Sequence, residues 1–242
     1  MSTGLTPIRR RGGLENVSRA LAVLTVLLLF GIVVLVLVDR SPNTVSSQGG
    51  TGSGVAATQA RSLPPLTGVD LAGANNVVVR VGARQSVIVH ADSNLLGRVT
   101  TQVSSGSLVI GNTPGTLNAR SPMFVAVSVP SLDALAVEGS GNISVTGINS
   151  PSLTVRLPGS GTINAAGTTA RLDVAIGGSG TALLSRLIAR DATASIDGSG
   201  SIVLTATHSL DAGISGSGTI FYTGNPAQVT KSVTGSGTIS GG

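Results

Sequence analysis

The chain has 242 residues, which suffices for one sizeable domain and a targeting segment. Cysteine is absent, which excludes a disulfide framework and a thiolate metal site. The formal net charge is +5, but residues 66–242 hold nine basic and eight acidic side chains, so we expect no nucleic-acid partner.

The excess positive charge lies at the N-terminus, beside a long apolar run. Residues 1–19 form a basic tail with four arginines and one acid, and residues 20–38 carry no charge. As a helix this run is about 28 Å long, close to the hydrocarbon thickness of a bilayer. A cleaved signal peptide is the alternative, but its apolar region is shorter, and this run ends in a poor cleavage site. We therefore expect one uncleaved transmembrane helix at the cell membrane, with the N-terminus cytoplasmic and the C-terminal domain extracellular.

A segment rich in Ser, Gly and Thr follows the apolar run. It covers residues 39–65 and ends in Pro64-Pro65. It shows no apolar periodicity, so we expect a flexible tether that lifts a folded domain clear of the membrane.

Short β patterns separated by turn residues fill residues 66–130. Each is rich in Val, Ile and Thr, as strands are. The predicted strands are 77–81, 86–91, 98–103, 108–110 and 124–129. They continue into the next segment without a linker, so we treat 66–242 as one domain.

The triplet Gly-Ser-Gly occurs six times in residues 131–242, at steps of 18 to 20 residues. The triplets begin at Gly139, Gly159, Gly178, Gly198, Gly216 and Gly235. Aliphatic residues recur two and four positions before the first glycine, and four and six positions after it. This alternation predicts a strand on each side of a tight corner. A unit of about 20 residues cannot bury its apolar face alone, so the units must stack.

Stacking of such units describes a parallel β-helix, an all-β fold in which each coil adds about 4.8 Å. Glycine suits the corners because it adopts positive φ and allows close approach of two backbones. The triplet serines would form a ladder of hydroxyls, which is either corner chemistry or a binding face. A flexible linker is the competing interpretation of Gly-Ser-Gly, but linkers do not carry aliphatic residues at fixed offsets.

The combined pattern resembles the head GIN domain family. The resemblance rests on Val77-Val-Val-Arg-Val81, Gly106-Ser-Leu-Val-Ile110, Val137-Glu-Gly-Ser-Gly-Asn-Ile143 and the repeated Gly-Ser-Gly-Thr-Ile, and it covers about 66–242. The family comprises bacterial cell-envelope domains described as auto-transporter adhesin heads. The resemblance implies a right-handed β-helix at the cell surface, and it implies no functional residues.

The acidic side chains are spread over different coils and match no catalytic or calcium-binding motif. Asp133, Asp173 and Asp211 hold comparable places before their triplets, where a carboxylate ladder for Ca²⁺ is the alternative to solvated positions. Nearby arginines are available to neutralise them. His90 and His208 are far apart in sequence, and no nucleophile elbow occurs. We therefore expect no catalytic, cofactor-binding or metal-binding residue, and no enzyme.

Few aromatic residues are available to stack on sugars. Phe221 and Tyr222 alternate in facing, so at most one of them is free to do so. Asn142-Ile-Ser144 is a formal glycosylation sequon, a pattern with a high false-positive rate.

These observations favour a membrane-anchored surface protein that acts in adhesion or as an envelope scaffold, with a polysaccharide or protein ligand. The alternative is the ectodomain of a sensing or assembly complex that works through a partner membrane protein. A polysaccharide-active enzyme is a third class, which lacks a recognisable site. Lys231 stands at a normally aliphatic position in the last coil, where we expect weak self-association.

Overall fold

Strands flank every Gly-Ser-Gly triplet in the computed structural model, which describes residues 50–242. The strands are β1 (Gly50–Thr51), β2 (Ala56–Arg61), β3 (Gly68–Leu71), β4 (Asn76–Val81), β5 (Ser86–Asp92), β6 (Val99–Ser104), β7 (Ser107–Asn112), β8 (Leu117–Asn118), β9 (Phe124–Val129), β10 (Ala134–Val137), β11 (Asn142–Leu157), β12 (Thr162–Ile176), β13 (Thr181–Gly198), β14 (Ser201–Gly216), β15 (Thr219–Thr223), β16 (Gln228–Gly235) and β17 (Thr238–Gly241). A single turn of 3-10 helix, Leu96–Arg98, precedes β6. The described part of the chain is therefore all-β, as predicted.

The long strands stack in parallel and build a solenoid of about five turns. In chain order, β10 pairs with β11, and each long strand up to β14 pairs with the next. Each turn contributes one row to face A, which precedes the triplet, and one row to face B, which follows it. The last rows are β16 on face A and β17 on face B.

The core consists of the aliphatic columns that the repeat predicted. On face A, Val155 stacks on Val174, and Val174 on Ala194, each at most 1% exposed. On face B, Ile143 stacks on Ile163, and both are fully buried. Burial of one such Val, Leu or Ile side chain contributes about 1.5–3 kcal/mol. The alternation before and after the first five triplets is thus confirmed as a buried inner face, whereas all residues of β16, before the sixth, are exposed.

A second corner lies between the two faces, and the sequence pattern did not reveal it. The pairing register shifts there, between Val145 and Ile148 in one turn and between Asn164 and Ala166 in the next. Gly147 adopts a φ of +82° at this corner. The long strands are therefore continuous in hydrogen bonding but bent around the core.

The rows at the N-terminal end do not follow chain order. Strands β3 and β4 form one turn, with β3 on face A and β4 on face B. This turn lies between the turn of β7 and β9 and the turn that runs from β10 into β11. Its corner is Ala72-Gly-Ala-Asn75, whose backbone accepts from the Gly141 and Asn142 N–H groups. Beyond β7 and β9, the antiparallel strands β6 and β5 close the ladder. The predicted strands of residues 66–130 are confirmed. The sequence did not predict that these strands stack on the solenoid as further turns.

Part of the expected flexible tether is strand. β2 pairs antiparallel with β5 over six residues, and β1 pairs with β8. The side chains of β2 are exposed or half-buried, so the strand has no apolar face that periodicity can detect. The pairing is made by backbone hydrogen bonds, which amino-acid composition does not predict. The tether prediction is therefore wrong for residues 50–51 and 56–61.

Asp92 holds the chain that leads into β2. Its buried carboxylate accepts hydrogen bonds from the Gly54 N–H at 2.8 Å, the Arg120 N–H at 2.8 Å and the hydroxyl of Ser121 at 2.9 Å. Burial alone raises the pKa of Asp92, but the hydrogen bonds from Arg120, Ser121 and Gly54 outweigh it and hold the pKa below its usual value. An ionised side chain therefore joins the N-terminal segment to the loop after β8.

The basic tail (1–19), the transmembrane helix (20–38) and the first part of the tether lie outside the described residues. Within residues 50–242 no helix has the length and apolar character that crossing a membrane requires.

Candidate binding face of the solenoid

The corners present a row of serine hydroxyls to solvent. The serine of each triplet is exposed, and the six are Ser140, Ser160, Ser179, Ser199, Ser217 and Ser236. The Ser160 N–H donates to the Gly139 carbonyl, and the Ser217 N–H donates to the Gly198 carbonyl. The parallel ladder thus continues around the corner, and the hydroxyls follow one another at about the strand spacing of 4.8 Å.

A shallow groove of about 510 Å³ lies on face A, where the chain enters each row. It crosses the five successive rows of β11, β12, β13, β14 and β16. Two columns of outward-facing polar side chains line it. The column nearer the triplets, called the inner column, is Thr154, Asp173, Thr193, Asp211 and Thr230. The column farther from the triplets, called the outer column, is Ser152, Arg171, Asp191, Ser209 and Gln228.

Hydroxyl and carboxylate side chains alternate along the inner column. Thr154 pairs in register with Asp173, and Thr193 with Asp211. Because neighbouring rows are about 4.8 Å apart, the two carboxylates recur at about 9.6 Å. The groove therefore offers a periodic set of hydrogen-bonding groups along the solenoid axis.

Two of the groove carboxylates have polar partners. Asp173 accepts two hydrogen bonds from the guanidinium of Arg156, at 2.9 and 3.2 Å, and the pair raises the pKa of Arg156. Asp191 accepts from the hydroxyl of Ser209 at 2.7 Å and lies 2.6 Å from Nδ1 of His208. These contacts with Ser209 and then His208 hold the pKa of Asp191 below its usual value. Both carboxylates are therefore fixed in direction by their partners.

The carboxylate ladder, which the sequence left as the alternative to solvated positions, is formed only in part. Asp173 and Asp211 share a column, but Ala134 takes that place in the first row, so Asp133 lies one residue outside it. Asp197 lies beyond the groove lining, near the corner. Within residues 50–242 no three His, Asp or Glu side chains come close enough to hold a metal ion. Thr193 lies between Asp173 and Asp211, so the two carboxylates are not neighbours along the column.

The two histidines lie in different surroundings. His90 on β5 stacks on Phe124 with ring centroids 4.2 Å apart, and burial lowers its pKa. The two rings border a small apolar pocket of about 240 Å³ beside β2. His208 is half exposed and belongs to the groove through Asp191. His208 is therefore a surface residue, whereas His90 is half-buried.

The aromatic pair alternates in facing, as predicted. Tyr222 packs against the core, and Phe221 stands outside in a column with Val203 and Leu183. The sequon asparagine, Asn142, is exposed and donates to the side-chain oxygen of Asn76 at 3.0 Å.

Sequence reasoning missed the groove, although a signal for it was present. The inner column stands five positions before each triplet and the outer column seven positions before it. The aspartates at the inner position were noticed, whereas the threonines between them were not. Acidic residues are considered as candidate ligands, whereas threonine on a strand is explained by its ordinary β propensity.

A family model described as "Putative auto-transporter adhesin, head GIN domain" matches residues 65–226. The chain belongs to this family. The match begins shortly before β3 and ends just after β15, so the head GIN domain comprises the capped N-terminal rows and most of the solenoid. No curated protein matches the sequence.

Solved structures of similar fold come from Bacteroides and Parabacteroides species. A putative adhesin from Bacteroides fragilis is 20% identical, with a TM-score of 0.67 over 80% of this chain and 100% of that one. A putative adhesin from Parabacteroides distasonis is 20% identical, with a TM-score of 0.54 over 81% and 100%. A putative lipid binding protein from the same species is 24% identical, with a TM-score of 0.50 over 81% and 99%. At these identities the likeness establishes the fold of the head GIN domain.

Proposed function

We propose that the protein is a membrane-anchored surface module whose right-handed β-helix head acts in adhesion or as an envelope scaffold, without catalysis. The observation that carries the proposal is the groove on face A, to which each of five successive rows contributes two polar side chains. The family description as an adhesin head and the adhesin names of two structural neighbours support it. The apolar run at residues 20–38 supports the anchor.

The side chains of the groove suit binding rather than reaction. Asp173 is paired with Arg156, and Asp191 is held by Ser209 and His208. A general acid or base needs a pKa moved toward neutral pH, and contacts that lower the pKa of Asp191 work in the opposite direction for a carboxyl group. The groove thus offers fixed acceptors and hydroxyls, which recognise a ligand by hydrogen bonds.

The anchor is tested by topology in whole cells. A protease added outside should remove a C-terminal epitope tag while an N-terminal tag stays protected, because the arginines before the span keep the tail inside. The full-length protein should remain in the membrane fraction after an alkaline wash. Release of the protein by that wash, or protection of the C-terminal tag, would contradict the proposal.

Ligand recognition is tested with the full-length protein immobilised through its N-terminus. Envelope fractions and matrix proteins are applied, and the parent is compared with a Thr193→Val, Asp211→Asn groove variant. The matched control is Thr219→Val, Asp197→Asn, two exposed positions outside the groove. Saturable binding lost only in the groove variant supports the proposal. Binding that is equal in all three proteins, or absent from all, contradicts it, and a co-purifying membrane protein would favour the partner-dependent role.

A further inference from the structure

The groove has the geometry of a site for an extended ligand parallel to the solenoid axis. Its five rows span four strand spacings, about 19 Å. Every row contributes side chains at the same two positions, so a ligand that advances along the axis meets equivalent partners repeatedly. Such a site favours a polymer with a repeating unit over a compact small molecule.

The backbone of the three middle rows of the groove, β12, β13 and β14, is not available to a ligand. β12 and β13 are each hydrogen-bonded to a strand on both sides, and β14 lies between β13 on one side and β15 and β16 on the other. An extended peptide that binds by strand addition needs an unpaired edge, which these floor strands do not offer. The apolar members of the lining, such as Leu172 and Leu210, are buried floor residues. Recognition must therefore come from the polar side chains.

Those side chains are acceptors and hydroxyls rather than cations. Asp173, Asp191 and Asp211 line the groove, and Arg171 is the one arginine among the lining residues. Arg156 pairs with Asp173, and Arg190 lies 3.9 Å from Asp191, so the charges around the groove balance and an anionic polymer meets no excess of positive charge. A carboxylate accepts up to four hydrogen bonds, and a threonine hydroxyl both donates and accepts. Neighbouring hydroxyl groups on one molecule satisfy both kinds of partner.

We propose that this groove binds a neutral, hydroxyl-rich polysaccharide as an extended strand parallel to the solenoid axis. The carboxylates of Asp173 and Asp211 accept from sugar hydroxyls at about 9.6 Å intervals, and the threonine hydroxyls between them exchange hydrogen bonds with the intervening units. The inference rests on the proposed adhesion or scaffold function and names the ligand class for the same groove.

The test titrates full-length protein with a soluble β-glucan, a xylan and a mannan, and with dextran sulfate as the anionic comparison. At least one neutral polysaccharide should bind saturably, and dextran sulfate should not compete. Oligosaccharides of increasing length should bind more tightly until they span about 19 Å, and then level off, since further units find no row. Equal affinity for a disaccharide and the polymer would overturn the axial arrangement.

Variants assign the binding to the groove. Asp211→Asn and Thr193→Val should each weaken neutral polysaccharide binding about tenfold, because each removes hydrogen bonds to the ligand. Thr219→Val, on face B, is the matched control and should leave the affinity unchanged. Equal affinities for all three variants and the parent would overturn the inference, as would no saturable binding of any neutral polysaccharide. In that last case, envelope binding that still depends on Asp211 leaves the proposed function standing and indicates a different ligand.

Discussion

The carbonyl oxygen of Gly141 occupies the space that a Cβ atom on Gly161 would need. On the other side, Cγ1 of Val137 would lie 2.6 Å from that Cβ atom. The φ angle of Gly161 is not in the left-handed region, so the glycine is required by stacking and not by its own conformation. The same crowding by the previous corner and its aliphatic residue recurs at Gly200 and Gly218. An added Cβ on the first glycine of a triplet would also meet the previous corner, as at Gly159, so both glycines are required for one corner to stack on the next.

Gly161→Ala should destabilise the solenoid by about 2–4 kcal/mol, because a methyl group there forces backbone apart in a packed core. Gly213→Ala is the matched control, since nothing lies within 4 Å of its added Cβ and its φ is not positive. That change should be neutral, or stabilising by up to about 1 kcal/mol. Chemical denaturation of both variants gives the comparison, and equal losses of stability would contradict the stacking argument.

Thr162 tests the same corner from the outside. It directly follows Gly161, and its side chain points outward on face B. Thr162→Val should change the free energy of unfolding by less than about 0.5 kcal/mol, as surface substitutions commonly do. A melting temperature for Thr162→Val as low as that of Gly161→Val would count against the corner model.

The solenoid was predictable because its signals are local and periodic. Ile143, Ile163 and Ile202 recur at one offset from a glycine triplet, and one buried face is enough to set strand register. The turn formed by β3 and β4 was not recognised from the sequence as part of the solenoid, because its corner carries Asn75 where the later corners carry glycine. Its partners come from distant segments, and single-sequence periodicity contains no pairing information.

The β2 strand and the groove were not predicted from the sequence for a different reason. The pairing of Ala56–Arg61 with β5 is made by backbone groups, and Asp92 captures the Gly54 N–H from 38 residues away. In the groove, Thr193 and Asp211 become neighbours only once the coils are aligned on their triplets. Side-chain identity alone cannot distinguish an exposed threonine on one face from an exposed threonine on another.

Asp92 should make the N-terminal attachment sensitive to acid. Hydrogen bonds keep its pKa in the folded protein below the unfolded value of about 3.9, so its contribution is complete above that value. As pH falls through the lower folded pKa, the carboxylate protonates and that contribution is lost. The hydrogen-exchange protection factors of Gly54 and Arg120 should therefore fall at acidic pH more than those of β12. A uniform loss of protection across the head would contradict a local effect.

Asp92→Asn should reproduce this loosening at neutral pH. The amide retains one acceptor oxygen where the carboxylate offers two, and its NH₂ group faces N–H donors at Arg120 and Ser121. Limited proteolysis should cleave near residues 50–55 sooner than in the parent. Asp197→Asn, an exposed carboxylate at a corner, is the control and should leave cleavage unchanged. Identical cleavage rates for parent and Asp92→Asn would refute the role of the charge.

The ion pair between Arg156 and Asp173 should contribute little to stability. Their side chains are 46% and 48% exposed, so water screens the attraction. Asp173→Asn should therefore cost at most about 1 kcal/mol, with a cost that shrinks at high salt. A double-mutant cycle with Arg156→Gln measures the coupling. A coupling above about 2 kcal/mol would show that the pair is structural, and Asp173 would then be unsuitable as a binding probe.

Lys231 lies on β16, the strand with an open edge in the last row. All eight residues of β16 are exposed, and within residues 50–242 its only strand partner is β14. The lysine stands where earlier rows have a buried aliphatic residue. Its Nζ lies 4.8 Å from the ring centroid of Tyr222 and 3.5 Å from the Ile239 carbonyl oxygen. On either side of it, Val229 is 39% exposed and Val233 is 44% exposed.

Lys231→Val should strengthen self-association through β16. We consider an antiparallel pair of two β16 edges in which Val229 lies opposite the partner copy's Val233. In this register the two copies of Lys231 lie directly opposite each other and repel. The parent should therefore associate weakly, and the variant at least about tenfold more strongly, in sedimentation of the full-length protein. Ser232→Val, on the outward side of the same strand, controls for added apolar surface and should behave like the parent. Strictly monomeric behaviour of both the parent and Lys231→Val at high concentration would rule out this edge as a contact between copies.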